Sequence, residues 1–152
     1  MTQVPKFLFV LLSASLIFAG CSPSAPAPAA KDGATGTTPD AIHVYYFHRT
    51  LRCPSCERIE AWTKTTVENS FPVELESGKV VWRSINLDEP EFAHFNGDYD
   101  LNTQSVVVSE WKNGRETHWK NLEEVWELLD DQPGFQQYIE AEVRGFLSGN
   151  TV

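Results

Sequence analysis

Residues 42–60 read Ile42-His-Val-Tyr-Tyr-Phe-His-Arg-Thr-Leu-Arg-Cys-Pro-Ser-Cys-Glu-Arg-Ile-Glu60. The first part, Ile42 to Phe47, is β-branched or aromatic at every position but His43, which marks a short buried strand. From Glu57 to about residue 70, Ile59, Trp62, Thr63, Thr66 and Val67 fall on one stripe of a helix. Pro54 suits the first turn of that helix, where its missing N–H has no intrahelical acceptor to lose. Cys53-Pro-Ser-Cys56 therefore lies between a buried strand and a helix start, and this context gives the pair a chemical meaning that an isolated Cys-x-x-Cys lacks. At a helix N-terminus the first cysteine meets unpaired backbone N–H groups and the positive end of the dipole, both of which favour thiolate over thiol. Arg49, Arg52 and Arg58 stand close by in sequence, and each can add to that effect. Cys56, one helical turn on, is expected to be partly shielded and placed to attack a mixed disulfide formed at Cys53.

Downstream, Lys79-Val-Val-Trp-Arg-Ser-Ile-Asn-Leu87 reads as a second strand, followed by a short helix from near Pro90 with Phe92 and Phe95 as its apolar positions. Gln104-Ser-Val-Val-Val108 is a third strand. Asn113-Gly114 before Arg115-Glu-Thr-His-Trp119 signals a tight hairpin. Asn121 is expected to cap a helix holding Leu122, Val125, Trp126 and Leu129. Pro133 opens a last helix with Phe135, Ile139, Val143 and Phe146 on one side. The order β-α-β-α-β-β-α-α over residues 42–148 predicts an α/β domain, one four-stranded mixed sheet flanked by helices, with 149–152 as a tail.

Upstream, residues 7–19 form an apolar run that would span only about 20 Å as a helix, short of a bilayer core of about 30 Å. It ends in Phe18-Ala-Gly-Cys21, which resembles a bacterial lipoprotein signal, so residues 1–20 are expected to be removed and Cys21 to carry the lipid. Residues 21–41 are rich in Pro, Ala, Gly, Ser and Thr and have no large apolar side chain before Ile42; they are expected to be a disordered tether. The lipoprotein resemblance implies an extracytoplasmic, lipid-anchored location, on the outer membrane if the cell has one, since Ser and not Asp occupies position 22. The cysteines of the domain then meet an oxidising compartment.

The 152 residues carry 21 acidic and 12 basic side chains, a net charge of −9, which excludes a sequence-blind nucleic-acid binder. Three cysteines are too few for a four-thiolate zinc or iron–sulfur site. Nothing reads as a flavin or nicotinamide motif, and no cofactor is expected. Two other uses of Cys53 and Cys56 stay open at this level: an inert structural disulfide in a binding subunit, and a metal or metalloid thiolate carrier with His48 as the nearest further ligand in sequence. His43, His94 and His118 receive no role. The five tryptophans read as core or half-buried cover, with Trp111, beside the hairpin turn, as the candidate for an exposed partner contact, and the acidic run Glu123-Glu124-Glu127-Asp130-Asp131 reads as a solvated helix face.

The strand, the Cys-x-x-Cys, the helix, Ile85-Asn-Leu-Asp-Glu-Pro90, Asp98-Tyr-Asp-Leu-Asn102 and the terminal hairpin together resemble the thioredoxin superfamily over essentially all of 42–148. Within it, Tyr45 to Glu60 and Ser84 to Glu91 look most like a small thioredoxin-like family labelled as a nitrophenyl-compound nitroreductase subunit. The resemblance implies thiol–disulfide oxidoreductase chemistry, with Cys53 attacking and Cys56 resolving, and a protein redox partner or a membrane electron donor or acceptor. It also exposes two departures. Ser105 stands where thioredoxins place a cis-proline, so a trans peptide is expected there. Residues 42–47 lack the carboxylate that thioredoxins place on this strand, for which His48 is a possible substitute base.

Overall fold

The computed structural model describes residues 39–150, so the signal segment, Cys21 and the tether up to residue 38 lie outside the described residues. Eight residues form β1 (Ala41–His48), and α1 (Pro54–Ser70) and the single-turn α2 (Pro72–Glu76) lead to β2 (Val80–Asn86). A one-turn α3 (Phe95–Asp98), the hairpin strands β3 (Ser105–Lys112) and β4 (Arg115–Asn121), a 3-10 turn (Glu123–Trp126) and α4 (Gln132–Ser148) complete the chain. The strands are ordered β2-β1-β3-β4. β1 pairs parallel with β2 and antiparallel with β3, and β3 pairs antiparallel with β4. This is the mixed four-stranded α/β sheet flanked by helices that the sequence implies. A parallel neighbour needs a crossover, and α1 and α2 supply it.

β1 is dense in large apolar residues because it is covered on both faces. Ile42, Val44 and Tyr46 point to the side where Ile59 and Val67 of α1 meet Phe135, Ile139, Val143 and Phe146 of α4. Tyr45 and Phe47 point the other way, into a second cluster with Ile85, Leu87, Tyr99, Leu101 and Val107. At the hairpin, Asn113 and Gly114 both have positive φ, 52° and 73°, as a two-residue turn between twisted strands requires.

Three expectations change in detail. The helix near Pro90 is replaced by successive turns, Phe92 N–H to Glu89 and Phe95 N–H to Phe92, before α3 makes its single turn. Phe92 and Phe95 nonetheless pack against the second cluster. The helix expected from Asn121 shrinks to the 3-10 turn. Asn121 is still paired in the sheet opposite Val107, and the turn has no side-chain cap. Asp131, accepting Gly134 N–H at 3.1 Å, already starts the next helix one residue before Pro133.

Candidate active site

β1 ends at His48, and the four residues that follow carry the chain to Cys53, the N-cap of α1. Cys53 is extended (φ −100°, ψ 159°) and its sulfur accepts the Cys56 N–H at 3.1 Å, so the sulfur itself serves as the helix cap. The two cysteines are joined in a disulfide. Their surroundings differ sharply: Cys53 is exposed, whereas Cys56 is 1% exposed and faces the core with Ile59 and Thr63. A reagent in solution meets Cys53 first.

The approach to the helix is tied down from two sides. The Asp88 carboxylate accepts the Thr50 N–H at 2.8 Å and a 3.3 Å bond from Arg49. The Thr50 amide, then its hydroxyl and Arg49, hold that carboxyl below the usual range. Arg49 also donates to Asn96 at 2.7 Å, and the Asn86 amide donates to the Thr50 hydroxyl. From the core, the Tyr46 hydroxyl donates to the Cys56 carbonyl at 2.7 Å and fastens the first turn of α1 to the central strand. Burial pushes the Tyr46 phenol up to about 12, so it stays a donor at neutral pH.

The three arginines are each engaged by a partner other than the sulfur. Arg49 is engaged by Asp88 and Asn96. Arg58 donates to the Leu129 carbonyl at 3.0 Å and lies over the Trp62 ring. Arg52, immediately before Cys53, forms an ion pair with Glu60 and sits 5.6 Å above the Tyr46 ring. Each could add positive charge near Cys53 by its place in the sequence, and each also has an acceptor of its own. The sulfur itself sits at the helix terminus and accepts the Cys56 N–H.

His48 is half-buried, and its Nδ1 is 2.9 Å from the Arg49 carbonyl oxygen; no hydrogen bond joins it to either cysteine among the described residues. Ser105 pairs with Phe47 across β1 and β3, at the end of the sheet from which the Cys53 loop leaves. Its hydroxyl donates to the Thr103 carbonyl, and no cis peptide occurs among the described residues. The preceding Gln104 carbonyl accepts the Trp126 indole N–H at 3.1 Å, which docks the 3-10 turn onto this loop. Among the described residues no group of three or more His, Cys, Asp and Glu side chains is arranged to hold a metal ion.

Trp111 is half-buried against His43 with its indole N–H enclosed, as the core-or-cover reading has it and not as a projecting contact; Trp119 on β4, 37% exposed, is the outward tryptophan. The acidic run at 123–131 is exposed throughout its charged positions. Four residues at the site escaped the sequence reading. Tyr46 and Leu51 stand in the decisive stretch but carry no motif, and Glu60 falls one helical turn after Cys56, a spacing that could have marked it. Asp88 is near only in space. Leu51 is 87% exposed, two positions before Cys53.

No protein-family model matches the chain, and no curated protein sequence does. Among solved structures, the chain is similar to thioredoxin O2 from Arabidopsis thaliana in its oxidised state, at 15% identity over 63% of this chain and 76% of that one, with a TM-score of 0.38. It is also similar to a malarial protein, at 12% identity over 60% of this chain and 97% of that one, with a TM-score of 0.36.

Proposed function

We propose that this protein exchanges a disulfide with thiols of a partner protein, Cys53 opening the reaction and Cys56 closing it. The observation that carries the reading is the contrast between an exposed cysteine capping a helix and a buried one a turn later. In the reducing direction, the Cys53 thiolate attacks one sulfur of a partner disulfide, forming a mixed disulfide and expelling a partner thiolate. Cys56, as its thiolate, then attacks the Cys53 sulfur. The Cys53–Cys56 bond forms, the second partner thiolate leaves, and two electrons have passed to the partner. The oxidising direction is the same sequence reversed. Leu51, exposed two positions before Cys53, offers an apolar contact to a protein substrate.

The setting we propose is extracytoplasmic, with Cys21 acylated and residues 21–41 tethering the domain to the membrane, where the partner is a redox protein or a membrane electron donor or acceptor. The likeness to the nitroreductase-labelled family enters through its thiol motif alone, and no nitro substrate is proposed.

Equilibration of the chain with glutathione couples, followed by alkylation of each cysteine across pH, tests the reading. A reversible couple between roughly −120 and −270 mV, with Cys53 alkylated ahead of Cys56, is expected. A potential below about −300 mV with unreactive sulfurs would overturn it in favour of a structural disulfide. Metal retained on purification and lost in Cys53→Ser would favour a thiolate carrier. Palmitate labelling of cells tests the anchor: incorporation should vanish in Cys21→Ala, and labelling that survives refutes it.

A further inference from the structure

The Arg52–Glu60 ion pair brackets the two cysteines. Arg52 immediately precedes Cys53, and Glu60 follows Cys56 by one helical turn. A guanidinium next in sequence to a reactive sulfur would be the strongest local charge favouring its thiolate. Here the guanidinium is paired with Glu60. One Glu60 carboxylate oxygen takes Arg52, and the other takes the Ser84 hydroxyl of β2 at 2.5 Å, so the carboxylate is fixed between helix and sheet. The Arg52 side chain is only 22% exposed and is backed by the Tyr46 ring. Its Nε–H is buried without an acceptor, and among the described residues Glu60 is the one carboxylate paired with the guanidinium.

Resting on the thiol-exchange reading above, we propose that Glu60 is a positioning residue that withholds the Arg52 charge from the Cys53 sulfur and so keeps the couple more reducing. Reduction of the disulfide takes two electrons and, above the pKa of Cys53, one proton, which goes to Cys56; Cys53 is left as the thiolate that a free Arg52 would stabilise. Stabilising that thiolate stabilises the reduced form and raises the potential. Both partners are charged at neutral pH. Burial works against each charge. For Glu60, Ser84 and then Arg52 outweigh it and hold the carboxyl low, and for Arg52, Glu60 outweighs it and holds the guanidinium high. The other titratable groups acting on the pair are Tyr46 and His48 from β1, and Glu57 of α1 acts on Tyr46.

The test is a double-mutant cycle on the full chain with Glu60→Gln, Arg52→Met and both together, read by the pH dependence of Cys53 alkylation and by equilibrium with glutathione. If the wild type shows no reversible couple, the thiol-exchange reading itself fails. Given a reversible couple, Glu60→Gln is expected to raise the thiolate fraction of Cys53 about tenfold at a pH below its pKa. Above that pKa, it should shift the equilibrium about tenfold toward the dithiol, roughly 30 mV more positive. In the Arg52→Met background the same substitution should shift either readout less than about threefold. Equal effects in both backgrounds would overturn the proposal, because Glu60 would then act on the sulfur directly. So would an unchanged Cys53 accompanied by slower closure from a mixed disulfide, which would make Glu60 the proton acceptor for Cys56. Should Glu60→Gln fail to fold, Glu60→Asp loosens the pair while keeping its charges; a smaller shift in the same direction is expected, and no shift overturns the proposal.

Discussion

Tyr46→Phe isolates one bond between the core and the candidate active site. The phenol donates to the Cys56 carbonyl at 2.7 Å from a fully buried ring. That carbonyl lies inside α1, where the amide four residues on also binds it, so removing the hydroxyl leaves no orphaned acceptor. The ring, its packing and the Arg52 cation above it remain. The cost is then one net hydrogen bond, about 1 kcal/mol, without the further penalty of an unmet buried group. For a domain of this size that corresponds to a fall in Tm of about 3–6 °C. Urea unfolding of the oxidised protein, followed by tryptophan fluorescence and by far-ultraviolet circular dichroism, measures it at constant m-value. A loss of about 3 kcal/mol or more would mean that the hydroxyl is the only partner of that carbonyl, and no loss would mean that the strand-to-helix bond is not made; either result refutes the reasoning.

Phe135→Ala should cost about 3–5 kcal/mol, because the ring is fully buried and meets Trp62 edge-on at 5.3 Å; a urea midpoint within error of wild type would show that the α1–α4 contact is not part of the core. Leu51→Ser should leave stability within about 0.5 kcal/mol yet slow exchange with a protein disulfide more than with glutathione, and equal slowing of both would remove Leu51 from partner docking. Acid should weaken the fold through Glu60 and Glu110. The carboxyl of Glu60 is held low by Ser84 and Arg52 against its burial, and that of Glu110 by Lys112 and Thr117. Groups with a depressed folded pKa stabilise above the unfolded value of about 4.3, and this stability is lost as pH falls through the folded value. Stability against pH should therefore be flatter below about pH 4.5 in Glu60→Gln, and a curve parallel to wild type contradicts the assignment.

Period and composition made the frame of this fold legible in advance. The run from Ile42 to Phe47 is apolar at nearly every position because β1 is central and covered on both faces, and Asn113-Gly114 announces its hairpin because few residues tolerate positive φ at both turn positions. The placing of Cys53 at a helix start was equally local, resting on Pro54 and on the stripe of apolar residues that follows. Short elements resisted this reading. Asn121 carries a cap signal yet remains paired with Val107, since a hydrogen-bonded sheet partner supplied from elsewhere in the chain outweighs a local preference.

The residues alone determined that an α/β sheet would hold two cysteines at the head of its first helix, because strand and helix periodicities and a proline's missing N–H act within a few positions of each other. Only the tertiary structure decided which partners the arginines around Cys53 take. Arg49, Arg52 and Arg58 are neighbours of Cys53 in the chain, but Asp88, Glu60 and the Leu129 carbonyl take them. Asp88 and Leu129 come from distant segments, and Glu60 is set in place by Ser84 of β2. Coulomb attraction depends on distance in space, and that distance exists only once the helix has packed against the sheet.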